Sequence, residues 1–486
     1  MSAGVVLGVI ALYFGMLLLI ARQTSRGANV QTFFLANRQS PWYLVAFGMI
    51  GASLSGVTFV SVPGAVLHSQ FAYFQMVLGY LVGYAVIALL LLPLYYKLQL
   101  TSIYTYLEHR FGFWSYKTGA FFFLLSRSIG SAFRLFLTAM ALQVGFAGLG
   151  IPFWITAVLS IALIWIYTRR GGIKTIVWTD TFQTVFMLLA VLSSLFLIWE
   201  ELGWTWGQLW QNLQKSGYTQ VWFWDVKAPT YFWKQFLAGA FIAIVMTGLD
   251  QDMMQKNLTC RSLADAQKNM FWFSLVLVLV NLAFLTLGAL LYLYAEAKGI
   301  ALPAKTDELY PRLAFEHFGL FAGIMFLLGI VAATYSSADS ALAALTTSFC
   351  VDFLGIEKRA ASQQTQLVRG VHIGFSVLMV LLILLFKEIS DAYPNSNVLG
   401  QVFTAAGYTY GPLLGLYSFG MFTRRGVWDK GVPVVCVLAP VLAFILNNHS
   451  KEWLWGYQFG FEILLVNGLF TFLGLLCLSI RYPVRA

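Results

Sequence analysis

Apolar runs of about twenty residues recur from one end of this 486-residue chain to the other. Each is long enough to cross ~30 Å of hydrocarbon as a helix. Charged residues make up only 10% of the chain and hydrophobic ones 59%, whereas soluble domains carry ~25% charge. Water is therefore not the solvent for most of this surface. One all-α polytopic membrane bundle is predicted, and the usual length-per-domain arithmetic does not apply.

Thirteen candidate spans lie at 3–21, 42–67, 71–95, 117–146, 153–168, 176–199, 233–254, 270–295, 318–350, 368–387, 396–422, 431–447 and 456–480. No Lys or Arg precedes the first run and Arg22 follows it. A cleaved signal peptide wants a positive start, so the first run reads as a retained helix. With the N-terminus outside, twenty of the thirty Lys and Arg fall in or beside inner loops. They include Arg22, Arg26, Arg169, Arg170, Lys256, Arg424, Arg425, Arg481 and Arg485. That bias satisfies the positive-inside rule. The expectation is a multi-pass protein of a bacterial inner membrane, N-terminus periplasmic and C-terminus cytoplasmic. The net charge of +10 then reflects topology and anionic lipid, and no nucleic-acid partner is expected.

The cysteines Cys260, Cys350, Cys436 and Cys477 stand singly, at no metal or redox spacing. The five His form no HExxH or triad, so neither an enzyme nor a transition-metal site is expected. The stretch 200–232 is rich in Trp and reads as an external amphipathic cap at headgroup level. Two spans are poor membrane helices. One holds Gly48, Gly51, Ser53, Ser55, Gly56, Ser61, Pro63 and Gly64; the other holds Gln235, Gly239, Thr247 and Gly248 and runs into Asp250-Gln251-Asp252. Setting the first span aside, they are the first and sixth of a ten-helix set. Interrupted segments at matching places in two halves point to an inverted-repeat transporter and its binding site.

Five stretches carry a resemblance: Thr101–Gly112 (TSIYTYLEHRFG), Gly171–Gln183 (GGIKTIVWTDTFQ), Asp250–Cys260 (DQDMMQKNLTC), Ala332–Phe353 (AATYSSADSALAALTTSFCVDF) and Gly411–Arg425 (GPLLGLYSFGMFTRR). In this order they resemble the sodium:solute symporter family over roughly residues 30–430. The resemblance implies a LeuT-like fold, with two inverted five-helix repeats (42–199 and 233–422), one helix before them (3–21) and two after (431–480). It also implies sodium as the coupling ion, with no other cofactor.

Carried over residue by residue, the family's main sodium site falls on the Gly51, Leu54 and Ala333 carbonyls and the Ser336 and Ser337 hydroxyls. A hard cation wants such oxygens, and a helix break frees carbonyls to supply them. Some relatives hold a second sodium beside the aspartate of the WTD motif. Here that pattern gives a second cation site from Asp180, Ser337, Asp339 and Ser340. Two carboxylates there either hold sodium or share a proton.

Arg127 and Arg134, seven residues apart on one helix face, are the basic residues inside a span. A buried guanidinium needs an anion, from the solute or from Asp and Glu of the bundle. With Ser55, Gly56 and Thr58 at the helix break, whose N–H groups also favour an anion, they lean the solute towards a carboxylate, as in an acidic sugar or a monocarboxylate. Gln75, Tyr80 and Thr247 complete the expected pocket, and Tyr408 and Tyr410 are candidate aromatic gates. The expected activity is sodium-coupled import by alternating access, with the lipid bilayer, sodium and one small organic solute as partners; a monomer is compatible with this reading, and the sequence does not set the oligomeric state. A neutral sugar or polyol substrate, proton coupling on the same fold, and a membrane-embedded sensor or enzyme are the rival readings.

Overall fold

The computed structural model describes residues 3–145, 150–169, 171–392 and 398–483. Arg170, Arg485 and the expected span ends at 146 and 396 lie outside them. The chain is a bundle of helices α1 (Ala3–Thr24), α2 (Trp42–Ser53), α3 (Gly56–Ser69), α4 (Ala72–Lys97) and α5 (Phe113–Gly145), continuing with α6 (Phe153–Thr168), α7 (Ile173–Leu202) and a short helix α8 (Trp206–Lys215). Then come α9 (Phe232–Gly248), α10 (Gln251–Asn257), α11 (Leu263–Ala297), α12 (Gly319–Phe353), α13 (Ala361–Ala392), α14 (Val398–Phe422), α15 (Val432–Asn448) and α16 (Ile463–Cys477). Among the described residues, eight helices are long and apolar enough to cross a membrane, or up to ten if α2–α3 and α9–α10 each count as one span.

Those two pairs are the interrupted segments of the sequence. The chain bends by 56° between α2 and α3 and by 70° between α9 and α10. At the second break the freed carbonyls are taken up by side chains: Tyr95 donates to Gly248 O at 2.8 Å and Tyr104 to Leu249 O at 2.9 Å. Gln251 clamps the nearby loop, accepting from Ile103 N and donating to Thr101 O. The α10 half-helix is capped by Asp250, whose side chain accepts from Asp252 N.

The expected seventh span ends at 254, with Lys256 counted in an inner loop. Instead α10 runs on to Asn257 and every residue in it is buried. The reason is partnership, since Lys256 finds a carboxylate inside the bundle. At the start of α9 Lys234 is also buried, its ammonium over the Tyr457 ring.

Close helix contact is made where side chains are small. A Cβ on Gly79 or Gly239 would press into the facing backbone of α9 or α4. In the Trp-rich segment α8 buries Leu213 and leaves Trp206 and Trp210 exposed, as Trp222 and Trp224 are beyond it. A two-stranded ribbon pairs Arg425–Val427 with Ser479–Pro483.

Candidate functional site

At the first break the backbone leaves the helix at Leu54 (φ −80°, ψ 77°) and Ser55 (φ −73°, ψ 170°). Leu54 N still bonds Ile50 O, but Ser55 N turns back to Ser53 O. Among the described residues no donor reaches the Gly51 or Leu54 carbonyl. Unlike the second break, this one leaves carbonyl oxygens unclaimed. Gly51 faces α7 and α12: a Cβ there would collide with the Thr184 hydroxyl and come within 3.4 Å of Ser336 Oγ. Thr184 cannot yield freely, because its hydroxyl donates to Asp180 O at 2.7 Å and lies 3.0 Å from Phe47 O. The kinked helix therefore lies directly against the turn of α12 that holds Ala333, Ser336 and Ser337, all of them buried.

The four residues expected to hold a second cation have separate partners. Asp180 takes the Lys256 ammonium on Oδ2 and the Ser336 hydroxyl on Oδ1, each at 2.7 Å. Asp339 Oδ2 accepts from Tyr167 at 2.8 Å, while its Oδ1 is buried without a partner. Ser340 donates to Ser336 O at 3.0 Å and to Asp252 Oδ2 at 3.2 Å. Ser337 accepts from Arg134 Nη1 at 3.1 Å.

Beside the break lies a cavity that is partly open to the surface. It gathers six of the eight expected pocket residues: Ser55, Thr58, Tyr80, Arg127, Arg134 and Thr247. Ser55 makes no capping bond to α3, so the first N–H groups of α3 keep their anion-favouring end uncapped by a side chain. The two arginines differ in their electrostatics. Arg127 pairs closely with Asp252 and lies 3.9 Å from Asp250. Arg134 reaches Ser337 but pairs with no carboxylate among the described residues, and its Nε is unbonded. A smaller space lined by both arginines, Ser126 and Tyr410 adjoins it.

Four candidates are placed differently. Gln75 holds the segment between α8 and α9, donating to Thr230 O at 2.9 Å and accepting from Phe223 N at 3.3 Å. Gly56 is a packing position, where a Cβ would sit 2.5 Å from Thr138 Oγ1 and 2.9 Å from Thr334 Oγ1. Tyr408 lies beside α15, accepting from Asn447 at 2.9 Å. Tyr410 donates to Asp250, beside the arginines. The sequence reading passed over Tyr73, Tyr84 and Asn281 in the cavity wall. It also passed over Asp250 and Asp252 as the partners of Arg127; two acids inside an apolar run were the available signal, since buried carboxylates demand a cation.

The family model for the sodium:solute symporter family matches residues 33–430. The chain belongs to that family. Among curated proteins it is 23% identical to the sodium/sialic acid symporter SiaT of Proteus mirabilis, over 90% of this chain and 88% of that one. It is 25% identical to the sodium/sialic acid symporter NanT of Aliivibrio fischeri, over 86% and 83%. A putative sodium-dependent multivitamin transporter of Drosophila melanogaster is 25% identical over 81% of this chain, which spans 66% of that protein's length. Among solved structures, a Na+-coupled sialic acid symporter in a substrate-bound outward-open state superposes with a TM-score of 0.83, covering 98% of this chain and 99% of that one at 19% identity. Mhp1, a nucleobase-cation-symport-1 family transporter in a closed conformation, gives 0.57, covering 94% and 96% at 14% identity. Both likenesses are of fold, and both neighbours are transporters.

Proposed function

We propose that this symporter imports a small carboxylate-bearing solute, with an acidic sugar of the sialic-acid type as the first candidate and a monocarboxylate as the second. The observation that carries the reading is Arg134, a guanidinium at the wall of a tyrosine-lined cavity that pairs with no carboxylate among the described residues. A solute carboxylate would fit its fork in two charge-assisted bonds. The sialic-acid relatives support the same choice.

Sodium would sit at the first break, on the Gly51, Leu54 and Ala333 carbonyls and the Ser336 and Ser337 hydroxyls. The unclaimed Gly51 and Leu54 carbonyls and the contact of Gly51 with Ser336 support that site. Arg134 then links the two sites, since it donates to Ser337 and faces the cavity. Each ligand favours one conformation, so each should tighten the other by the same factor. The finer architecture proposed is thirteen spans with an outer N-terminus and two inverted five-helix repeats. The paired breaks, at the first helix of each repeat, support it.

The test is uptake of radiolabelled sialic acid into vesicles. An inward sodium gradient should drive it and an equal potassium gradient should not. Undiminished uptake in potassium would end the sodium-symport reading, and uptake driven by a pH gradient alone would favour the proton-coupled alternative.

A further inference from the structure

The cation's place beside Asp180 is filled by the chain itself. Lys256 is 1% exposed and its ammonium lies 2.7 Å from Asp180 Oδ2; the other oxygen, Oδ1, takes the Ser336 hydroxyl. Both oxygens of the fully buried carboxylate are thus occupied, and the pair is neutral. Lysine suits this position because its head is a compact point charge on a long stem, closer to an alkali ion than the planar guanidinium is. The stem is delivered by α10, the wholly buried half-helix after the second break. The Lys256 carbonyl is pinned by the Thr259 hydroxyl at 2.7 Å.

We infer that Lys256 is a tethered cation that takes the place of a second sodium, so that the chain binds one sodium, at the first break. The inference rests on the reading of that main site. A sodium entering beside Asp180 would meet a neutral pair and an ammonium of its own sign. Of the other oxygens expected to surround it, Asp339 Oδ2 accepts from Tyr167, Ser337 accepts from Arg134 and Ser340 bonds Ser336 O and Asp252, which leaves Asp339 Oδ1 as the one without a partner.

The arrangement also orients a ligand of the main site. A hydroxyl has one proton, and that of Ser336 goes to Asp180, which leaves only lone pairs for the sodium. Lys256 holds Asp180, Asp180 holds Ser336, and Ser336 faces the ion. Since Lys256 rides on α10, movement of that half-helix and occupancy at the first break are linked through three side chains.

The test is equilibrium binding of radioactive sodium to the purified full chain, with thermal shift against sodium concentration in parallel. Wild type should bind one sodium per chain with a Hill coefficient near one. Lys256→Gln should bind two, its Hill coefficient rising towards two, the number of sites. The double variant Lys256→Gln/Asp180→Asn, neutral again, should return to one, as should Lys256→Arg. If the single variant fails to fold in low sodium, high sodium should restore it and choline should not; failure of that rescue overturns the inference. Two sodium ions on wild type, or one on Lys256→Gln, also overturn it. No sodium on wild type would sink the main-site proposal instead.

Discussion

Replacing Arg134 by Gln removes the cation that faces the cavity while keeping a donor for Ser337. A carboxylate held by the guanidinium fork makes two hydrogen bonds to a charged group, each contributing about 1.5–3 kcal/mol. Arg134 is only half-buried and water competes for it, so the lower end of the sum applies, about 3 kcal/mol or roughly two decades in Kd. Arg127 does not compensate, because Asp252 already claims it. The assay is sodium-dependent binding of sialic acid and of its uncharged methyl ester, by thermal shift or calorimetry, to wild type, Arg134→Gln and Arg134→Lys. Wild type should prefer the acid strongly, and Arg134→Gln should lose about 100-fold for the acid and little for the ester. Arg134→Lys, with charge but no fork, should fall between. If the variant weakens acid and ester equally, or neither, Arg134 does not recognise the carboxylate.

Three further outcomes follow from geometry. Gly51→Ala drives a methyl group into the Thr184 hydroxyl; overpacking of this kind costs about 1–3 kcal/mol, and apparent sodium affinity should drop about tenfold in titrations, with partial recovery in Gly51→Ala/Thr184→Ala. Gln75→Ala strips the segment between α8 and α9 of the bonds that Thr230 and Phe223 make to this side chain; the melting temperature should fall while solute affinity stays unchanged. Burial pushes the Asp307 carboxyl above its usual range, with Glu308 adding and Ser61 and Lys305 opposing. The folded chain therefore holds that proton more firmly than the unfolded one, so the stability it contributes is present at low pH and is lost as pH rises through the usual carboxylate range to the raised value. Asp307→Asn should flatten that part of the melting profile, and an unchanged slope would refute the assignment.

Periodicity and composition made the helices legible, and the paired breaks stood out because Gly, Ser and Asp cluster where a membrane helix should be apolar. The Gly51–Ser336 contact was legible too, since motif order carries a ligand set with it. What stayed hidden was the choice of partners among buried charges. Arg127 was visible as a cation in need of an anion, but nothing local says that Asp252, across a break on another helix, answers it rather than the solute. Lys256 looked like one more inner-loop cation because it follows the apolar run by two residues; only the fold shows Asp180 waiting for it. Gln75 looked like a pocket residue for the same reason, a polar side chain in a span whose bonds run to a distant loop.

The unequal state of the two arginines ties the charge of the cargo to the coupling ion. Arg127 and Arg134 bring two positive charges and Asp250 and Asp252 two negative ones, so the wall is neutral in sum. A monoanion would then be balanced by the one sodium proposed at the first break, whereas a dicarboxylate or a sugar phosphate would bring a surplus that only an additional ion could cancel.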